Sequence, residues 1–239
     1  YLLYKLSLWK YYNAASTKVQ YENLRLEAVM MKIAVVCANG KAGKLIVREA
    51  VDRGLDVTAV VRGENHSAAA KVIRKDLFDL TASDLNGFDV IVDAFGAWTP
   101  ETLPQHGTTL KHLCDLLSGK ETRLLVVGGA GSLYVNPEHT AQVMDGPDFP
   151  DAFKPLASNM GKALGELRTR NDVKWTYISP AADFQADGAR TGKYLLGGEE
   201  LLLNAKGESV ISYADYAKAV VDEAVSGDHV RQRISVVRE

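Results

Sequence analysis

The sequence predicts an α/β fold: one domain, built on a doubly wound and mostly parallel sheet. Three observations carry that reading. Short β-branched runs alternate with segments of helical spacing along the 239 residues. The first such run, at residues 33–36, is continuously apolar, as suits a parallel strand covered on both faces. A turn containing glycines follows it and leads straight into a helix.

The elements follow in order. The strand IAVV at 33–36 ends in a turn bounded by Gly40 and Gly43. Leu45, Ile46, Ala50 and Val51 then recur at helical spacing up to Gly54, a C-terminal stop. Residues 56–61, DVTAVV, give a second strand and complete a β-α-β unit. A short third strand is expected at 71–74, with Asp76-Leu77-Phe78 after it. Residues 88–94, FDVIVDA, give a fourth, ending in Phe95-Gly96-Ala97. A helix through Leu110, Leu113, Leu116 and Leu117 leads to a fifth strand at 123–127, followed by Gly128-Gly129-Ala130-Gly131-Ser132. Residues 160–169 suit another helix, and 174–178 a strand running into Ser179-Pro180. The glycine-rich stretch 188–207, with Tyr194 and Leu201 to Leu203, reads as loops and a short strand. It falls in a candidate substrate-covering region spanning residues 183–212. Ser212 is the expected N-cap of a helix carrying Tyr216, Ala219, Val220 and Val221. A strand at 234–237 closes the chain.

Composition narrows the function. A hydrophobic fraction of 46% supports a sizeable core, and a net charge of −2 gives no reason to expect nucleic acid or an anionic membrane as partner. Cys37 and Cys114 cannot make a disulfide framework, so a reducing cytoplasm is expected. The histidines show no metal-binding spacing and the cysteines no C-x-x-C pair, so no metal is expected. Residues 1–30 form an N-terminal extension of different character, rich in Tyr and Leu and lacking Gly and Pro. Met30 and Met31 set the expectation of a natural start there, with the preceding residues an artefact and 31–239 the domain proper. The alternative is a docking helix with Leu2, Leu3, Leu6 and Trp9 on one face. Lys5 and Lys10 interrupt any long apolar run, so neither a signal peptide nor a membrane span is expected.

In open parallel sheets ligands bind beyond the carboxyl ends of the strands. A strand, glycine turn and helix in that order present backbone N–H groups to the pyrophosphate of a dinucleotide, the Rossmann arrangement. Cys37, Asn39, Gly40, Lys41, Ala42 and Gly43 are therefore cofactor-binding candidates. The fingerprint G-x-G-x-x-G is only partly met, since Cys37 and Asn39 stand where its first two glycines would be. Gly43-Lys44 also resembles the end of a nucleotide triphosphatase loop. That reading fails because Ala38 replaces the required glycine and Leu45 the Ser or Thr that would hold magnesium. At the end of the second strand an acid would hold the 2′-hydroxyl of NAD, whereas a cation suits the 2′-phosphate of NADP. Val60, Val61 and Arg62 include no acid, so NADP is expected over NAD, with a solvated strand-end cation as the alternative role of Arg62. Gly128 and Gly129 would let a cofactor approach the backbone, or form a simple flexible turn. Ser132 is not the serine of a G-x-S-x-G nucleophile elbow.

The order of these motifs over residues 31–239 resembles the atypical short-chain dehydrogenase/reductases, specifically the NmrA-like and NADH-flavin reductase group that includes biliverdin reductase B-like proteins. Its opening motif reads G-A-T-G-x-x-G, against Cys37, Ala38, Asn39, Gly40, Lys41, Ala42 and Gly43 here. The last two glycines, Arg62, the Asp76-Leu77 pair and the tract WTYISPAADF at 175–184 match in kind. The resemblance implies an NAD(P)H-dependent oxidoreductase and adds Asp76, Leu77, Phe95, Gly96 and Pro180 to the cofactor-binding candidates. It implies a small-molecule flavin or quinone-like ring as hydride acceptor.

The wider superfamily uses a Tyr four residues before a Lys as its acid/base pair. Here Lys162 stands at the Lys and Ser158 at the Tyr, and a serine lacks a phenol pKa of about 10 for a neighbouring ammonium to lower. Alcohol dehydrogenation is therefore not expected, while hydride transfer to a flavin, with solvent supplying the proton, is compatible with the loss. Ser132 and Lys162 are left as catalytic candidates. Lys162 has two further readings, a contact to the nicotinamide ribose and an i to i+4 pair with Glu166. Phe95, Trp98, Tyr134 and Phe184 are candidates for a stacking wall. Cys37 is compatible with binding if its backbone avoids the left-handed region. Two alternatives stand beside the reductase: a non-catalytic NADP-binding redox sensor or regulatory protein, and a nucleotide-sugar epimerase/reductase-like enzyme. An oligomer is compatible with each.

Overall fold

The computed structural model describes residues 30–239. The expectation of a docking face at Leu2, Leu3, Leu6 and Trp9 lies outside the described residues. Ile33 to Val36 carry no polar side chain and are all buried, as the apolar run requires. They belong to β1 (Lys32–Val36), which leads through the glycine turn into α1 (Lys41–Asp52) and back through β2 (Asp56–Val61). Gly54, at φ +75°, takes the left-handed conformation that ends α1, and its N–H bonds the Val51 carbonyl at 2.9 Å. There follow β3 (Lys71–Arg74), β4 (Val90–Asp93), α2 (Gln105–Leu117), β5 (Arg123–Val127), α3 (Lys154–Leu167) and β6 (Lys174–Ser179). The remainder comprises β7 (Asp183–Gln185), β8 (Leu195–Gly197), β9 (Val210–Ser212), α4 (Tyr213–Ser226) and β10 (Gln232–Val237).

One sheet runs in the order β3-β2-β1-β4-β5-β6-β10-β8, parallel throughout except for β8, which pairs antiparallel with β10. Chain order reverses between β1 and β4, which makes their carboxyl ends the switch point where such sheets bind ligands. α1 packs with α4, and α2 with α3. The larger core joins Ala34, Val36, Ile91, Leu124, Val126 and Tyr177 of the sheet to Leu110, Leu113 and Leu117 of α2 and Leu164 and Leu167 of α3. The fold is thus a doubly wound Rossmann domain, as the alternation of elements predicts.

Several assignments depart from expectation, β10 among them, which begins at Gln232 rather than residue 234. β4 spans Val90–Asp93 rather than 88–94, because the Asp93 carboxylate accepts the Phe95 N–H at 3.0 Å and turns the chain. α3 starts at Lys154, well before residue 160, with Pro155 in its first turn, where a missing N–H costs nothing. β7 and β9 form a separate parallel pair that the pattern does not announce, each being only three residues long.

Ser212 caps α4 as expected, its hydroxyl accepting the Asp215 N–H at 3.0 Å. The fully buried Asp215 then accepts both the backbone N–H and the hydroxyl of Thr191, and the N–H of Gly192. Arg190 bonds Glu49 of α1 and the Tyr194 hydroxyl bonds Asp222 of α4. Residues 190–197 are therefore tied to α1, α4 and β10. Among the described residues no helix is long and apolar enough to cross a membrane, and no group of three or more His, Cys, Asp or Glu side chains could hold a metal.

Candidate functional site

The turns after β1, β2, β4, β5 and β6 all open on the same edge of the sheet. In the first, the Cys37 carbonyl accepts the Gly40 N–H at 2.9 Å, and Gly40 enters α1 without a side-chain cap. The N–H groups of Lys41, Ala42 and Gly43 have no intrahelical acceptor, and no acid stands in the first turn of α1. A pyrophosphate supplies the acceptors and negative charge that this helix end lacks. Gly43 is dictated by packing, since a Cβ there would meet the Cys37 carbonyl oxygen at 2.6 Å and Ala38 Cα at 3.0 Å.

Cys37 itself corrects the expectation. Its φ is +58°, in the left-handed region that glycine adopts freely and other residues enter at a cost of about 1–2 kcal/mol. The residue at the motif's first glycine position thus adopts a backbone that glycine favours. The side chain escapes the phosphate-binding end by packing inward against the core cluster. Burial, reinforced by Asp93, pushes the thiol up to about 12, against the lowering effect of Arg62, so it stays protonated. Cys37→Gly is expected to be more stable than Cys37→Ala by about 1 kcal/mol in denaturant titrations, because only glycine relieves the positive φ.

Asn39 plays a role the sequence did not reveal. Its side chain donates to the Glu64 carbonyl and accepts the His66 N–H, both at 2.7 Å, and so clamps the turn to the loop that follows Arg62. Arg62 is exposed, and while its neighbours Lys71 and Lys75 pair with Asp56 and Asp84, no ion pair engages Arg62 among the described residues. After β3, the Asp76 carboxylate accepts the Phe78 N–H at 3.0 Å, and Leu77 is buried in the core.

Past β4, Phe95 packs edge-on against His106 while Gly96 is exposed. Asp93, Phe95, His106, Met160 and Tyr177 line a small recess with room for a water molecule. Burial pushes the Asp93 carboxyl up to about 6, although its bond from the Phe95 N–H opposes this, and burial lowers His106. With the folded-state pKa of Asp93 above the unfolded value, its contribution to stability is greatest below about pH 4 and is lost as pH rises through about 6. Asp93→Asn keeps an acceptor for Phe95 and removes the charge. It is expected to flatten the stability profile between pH 4 and 6 and to gain about 3 kcal/mol at pH 7, since each tenfold change in proton affinity is worth about 1.4 kcal/mol. Thermal melts across that range check it.

The glycines after β5 form a tightly packed turn rather than a flexible one. A Cβ on Gly128 would lie 2.3 Å from the Tyr177 ring, one on Gly129 would lie 3.0 Å from the Met160 sulfur, and one on Gly131 would lie 2.5 Å from the Ala157 methyl. Gly129 N–H donates to the Tyr177 hydroxyl at 3.2 Å and Gly128 N–H to the Ile178 carbonyl at 2.9 Å. The tract WTYIS thus builds this turn, and Pro180 is buried beside it. Ser132 is buried, with Gly161 of α3 beside its Cβ. Lys162 is exposed, Ser158 half-buried, and no Lys162–Glu166 ion pair forms among the described residues.

The four aromatic candidates do not share one wall. Phe95 meets His106, Tyr134 stacks on His139 at 4.3 Å, and Phe184 lies against Tyr213 at 3.9 Å, while Trp98 is 70% exposed. Arg233, which no sequence motif marks, bonds the carbonyl and hydroxyl of Ser132 in the loop after β5. Its signal was an arginine inside the otherwise buried strand pattern QRISVV.

This fold and turn geometry define a dinucleotide-binding protein of the atypical short-chain dehydrogenase/reductase kind. The chain belongs to the NAD(P)H-binding family, whose model matches residues 37–226. It is 46% identical to the uncharacterized protein YwnB of Bacillus subtilis over 87% of this chain and 99% of that one. A Streptococcus pneumoniae structure described as a putative NADH-flavin reductase is 54% identical, with a TM-score of 0.86 over 87% of this chain and all of the other. A Bacteroides thetaiotaomicron structure described as a putative epimerase is 32% identical, with a TM-score of 0.76 over 87% of this chain and 97% of the other.

Proposed function

We propose that this protein is an NADPH-dependent reductase of a flavin or quinone-like ring, working in the cytoplasm. The observation that carries the reading is the pairing of a complete phosphate-binding helix end with Ser158 four residues before Lys162. The chain can hold a dinucleotide, yet it has no phenol there to protonate or deprotonate an alcohol. The likeness to the Streptococcus pneumoniae protein supports the flavin as acceptor. It also weighs against an epimerase, which the Bacteroides thetaiotaomicron likeness would otherwise suggest.

In this reading the N–H groups of Lys41, Ala42 and Gly43 hold the pyrophosphate. Arg62 meets the 2′-phosphate and favours NADP over NAD. Backbone around Asp76, Leu77, Phe95, Gly96, Gly128, Gly129 and Pro180 borders the rest of the dinucleotide, and Lys162 contacts its nicotinamide ribose. Bound NADPH would supply a hydride to the acceptor ring while solvent supplies the proton, so the ring gains two electrons and NADP⁺ leaves. Trp98, exposed beyond β4, offers a flat face on which an acceptor ring can stack. The protein's part is then to align two flat systems and exclude water between them.

Stopped-flow oxidation of NADPH in the presence of FMN or riboflavin tests this, with rapid loss of NADPH absorbance as the expected result. A chain that binds NADPH but never oxidises it, with any flavin or quinone, would instead be an NADP-binding sensor without turnover.

A further inference from the structure

The buried guanidinium of Arg233 has no counterpart in the roles assigned so far. Arg233 lies on β10 beside Tyr177, and its side chain is 1% exposed. Every nitrogen is engaged. Nε donates to the Ser179 hydroxyl at 2.9 Å, Nη1 to the Ser132 carbonyl at 2.8 Å, and Nη2 to the Ser132 hydroxyl at 3.0 Å. The Ser179 hydroxyl in turn donates a hydrogen bond to the Gly129 carbonyl at 2.9 Å. Among the described residues one carboxylate reaches this cation: Glu199, 3.5 Å from Nη1, which Arg168 already holds at 2.6 Å. Positive charge is therefore buried under the 128–132 loop with little local neutralisation. A well-packed apolar side chain would fill the same space without that desolvation cost.

The consequence falls on Ser132. Its oxygen accepts from the guanidinium, so its O–H points away from Arg233, and among the described residues that proton finds no acceptor. Ser132 stands in the loop beyond β5, its Cβ against Gly161 of α3, the residue before Lys162 and three after Ser158. We infer that Arg233 is a positioning residue that makes the Ser132 hydroxyl a one-way hydrogen-bond donor to a carbonyl oxygen of the acceptor ring, an inference that rests on the reductase reading. A carbonyl conjugated to a reducible ring gains negative charge as the hydride arrives. A donor backed by a buried cation stabilises that charge more than it stabilises the neutral ring, so the interaction lowers the barrier rather than only tightening binding. The substrate class selected is a flat ring with a conjugated carbonyl at its edge, which flavins and quinones share.

The test is a double-mutant cycle on NADPH-dependent FMN reduction with wild type, Ser132→Ala, Arg233→Met and the double variant, together with Arg233→Lys. Ser132→Ala is expected to lower kcat by about 10²-fold, the scale of a lost oxyanion donor, with KM for NADPH little changed. Arg233→Met is expected to lose as much, the double variant no more than the larger single loss, and Arg233→Lys to recover part of kcat. Independent losses that multiply, or an Arg233→Met enzyme with wild-type kcat, overturn the inference. If Arg233→Met does not fold, Arg233→Lys decides the question: a lowered kcat with intact NADP binding supports it, and a wild-type kcat overturns it. A wild type inactive with every flavin and quinone overturns the reductase reading itself, a result visible before any variant is made.

Discussion

Gly43→Ala is expected to destabilise the domain by about 3 kcal/mol and to abolish nucleotide binding, since overpacking against fixed atoms costs at the upper end of the usual range. The added methyl would sit 2.6 Å from the Cys37 carbonyl oxygen and 3.0 Å from Ala38 Cα, both backbone atoms. A flexible side chain could turn aside, but here either α1 must move away from the turn or the turn must open. Either movement displaces the N–H groups of Lys41 and Ala42 that the pyrophosphate needs. Chemical denaturation measures the stability loss, and NADPH fluorescence titration the loss of binding. Normal binding by a stable Gly43→Ala protein would mean that the phosphates sit elsewhere.

Arg62→Ala is expected to weaken NADPH by about 1–3 kcal/mol, from several-fold to about 150-fold in Kd, while leaving NADH nearly unchanged. The residue is exposed at the end of β2 and engaged in no ion pair among the described residues, so a charge-assisted bond to phosphate would not have to displace an existing partner. Because this charge faces solvent, the NADPH preference should shrink with added salt. Paired titrations with both nucleotides decide it, and equal losses for the two would leave Arg62 as a solvated strand-end cation.

What the sequence reveals depends on how local each cause is. β2 and β5 run over the residues their apolar patterns predict, because burial on both faces of a parallel sheet imprints the whole strand. The stop at Gly54 and the cap at Ser212 are equally legible, each resting on a single residue's conformational or hydrogen-bonding preference. The φ of Cys37 is not legible. Its left-handed backbone is imposed by the turn and by the close approach of α1, and a cysteine gives no sign of either. The clamp that Asn39 makes on the loop 25–27 positions away is not legible either. Arg233 acts on Ser132 across 101 residues of sequence, a contact no local pattern contains. The packing need for glycine at 128, 129 and 131 is equally hidden, because their partners, Tyr177, Met160 and Ala157, come from β6 and α3.

The most direct check on the nucleotide site is a thermal-shift comparison of the full chain with NADP, with NAD and with no ligand. A ligand that binds only the folded state, present at about 100 times its Kd, stabilises it by about 2.7 kcal/mol. NADP is expected to raise Tm by several degrees, NAD by clearly less, and Arg62→Ala to bring the two together. A Tm unmoved by either nucleotide would contradict a dinucleotide site at the turn of residues 37–43.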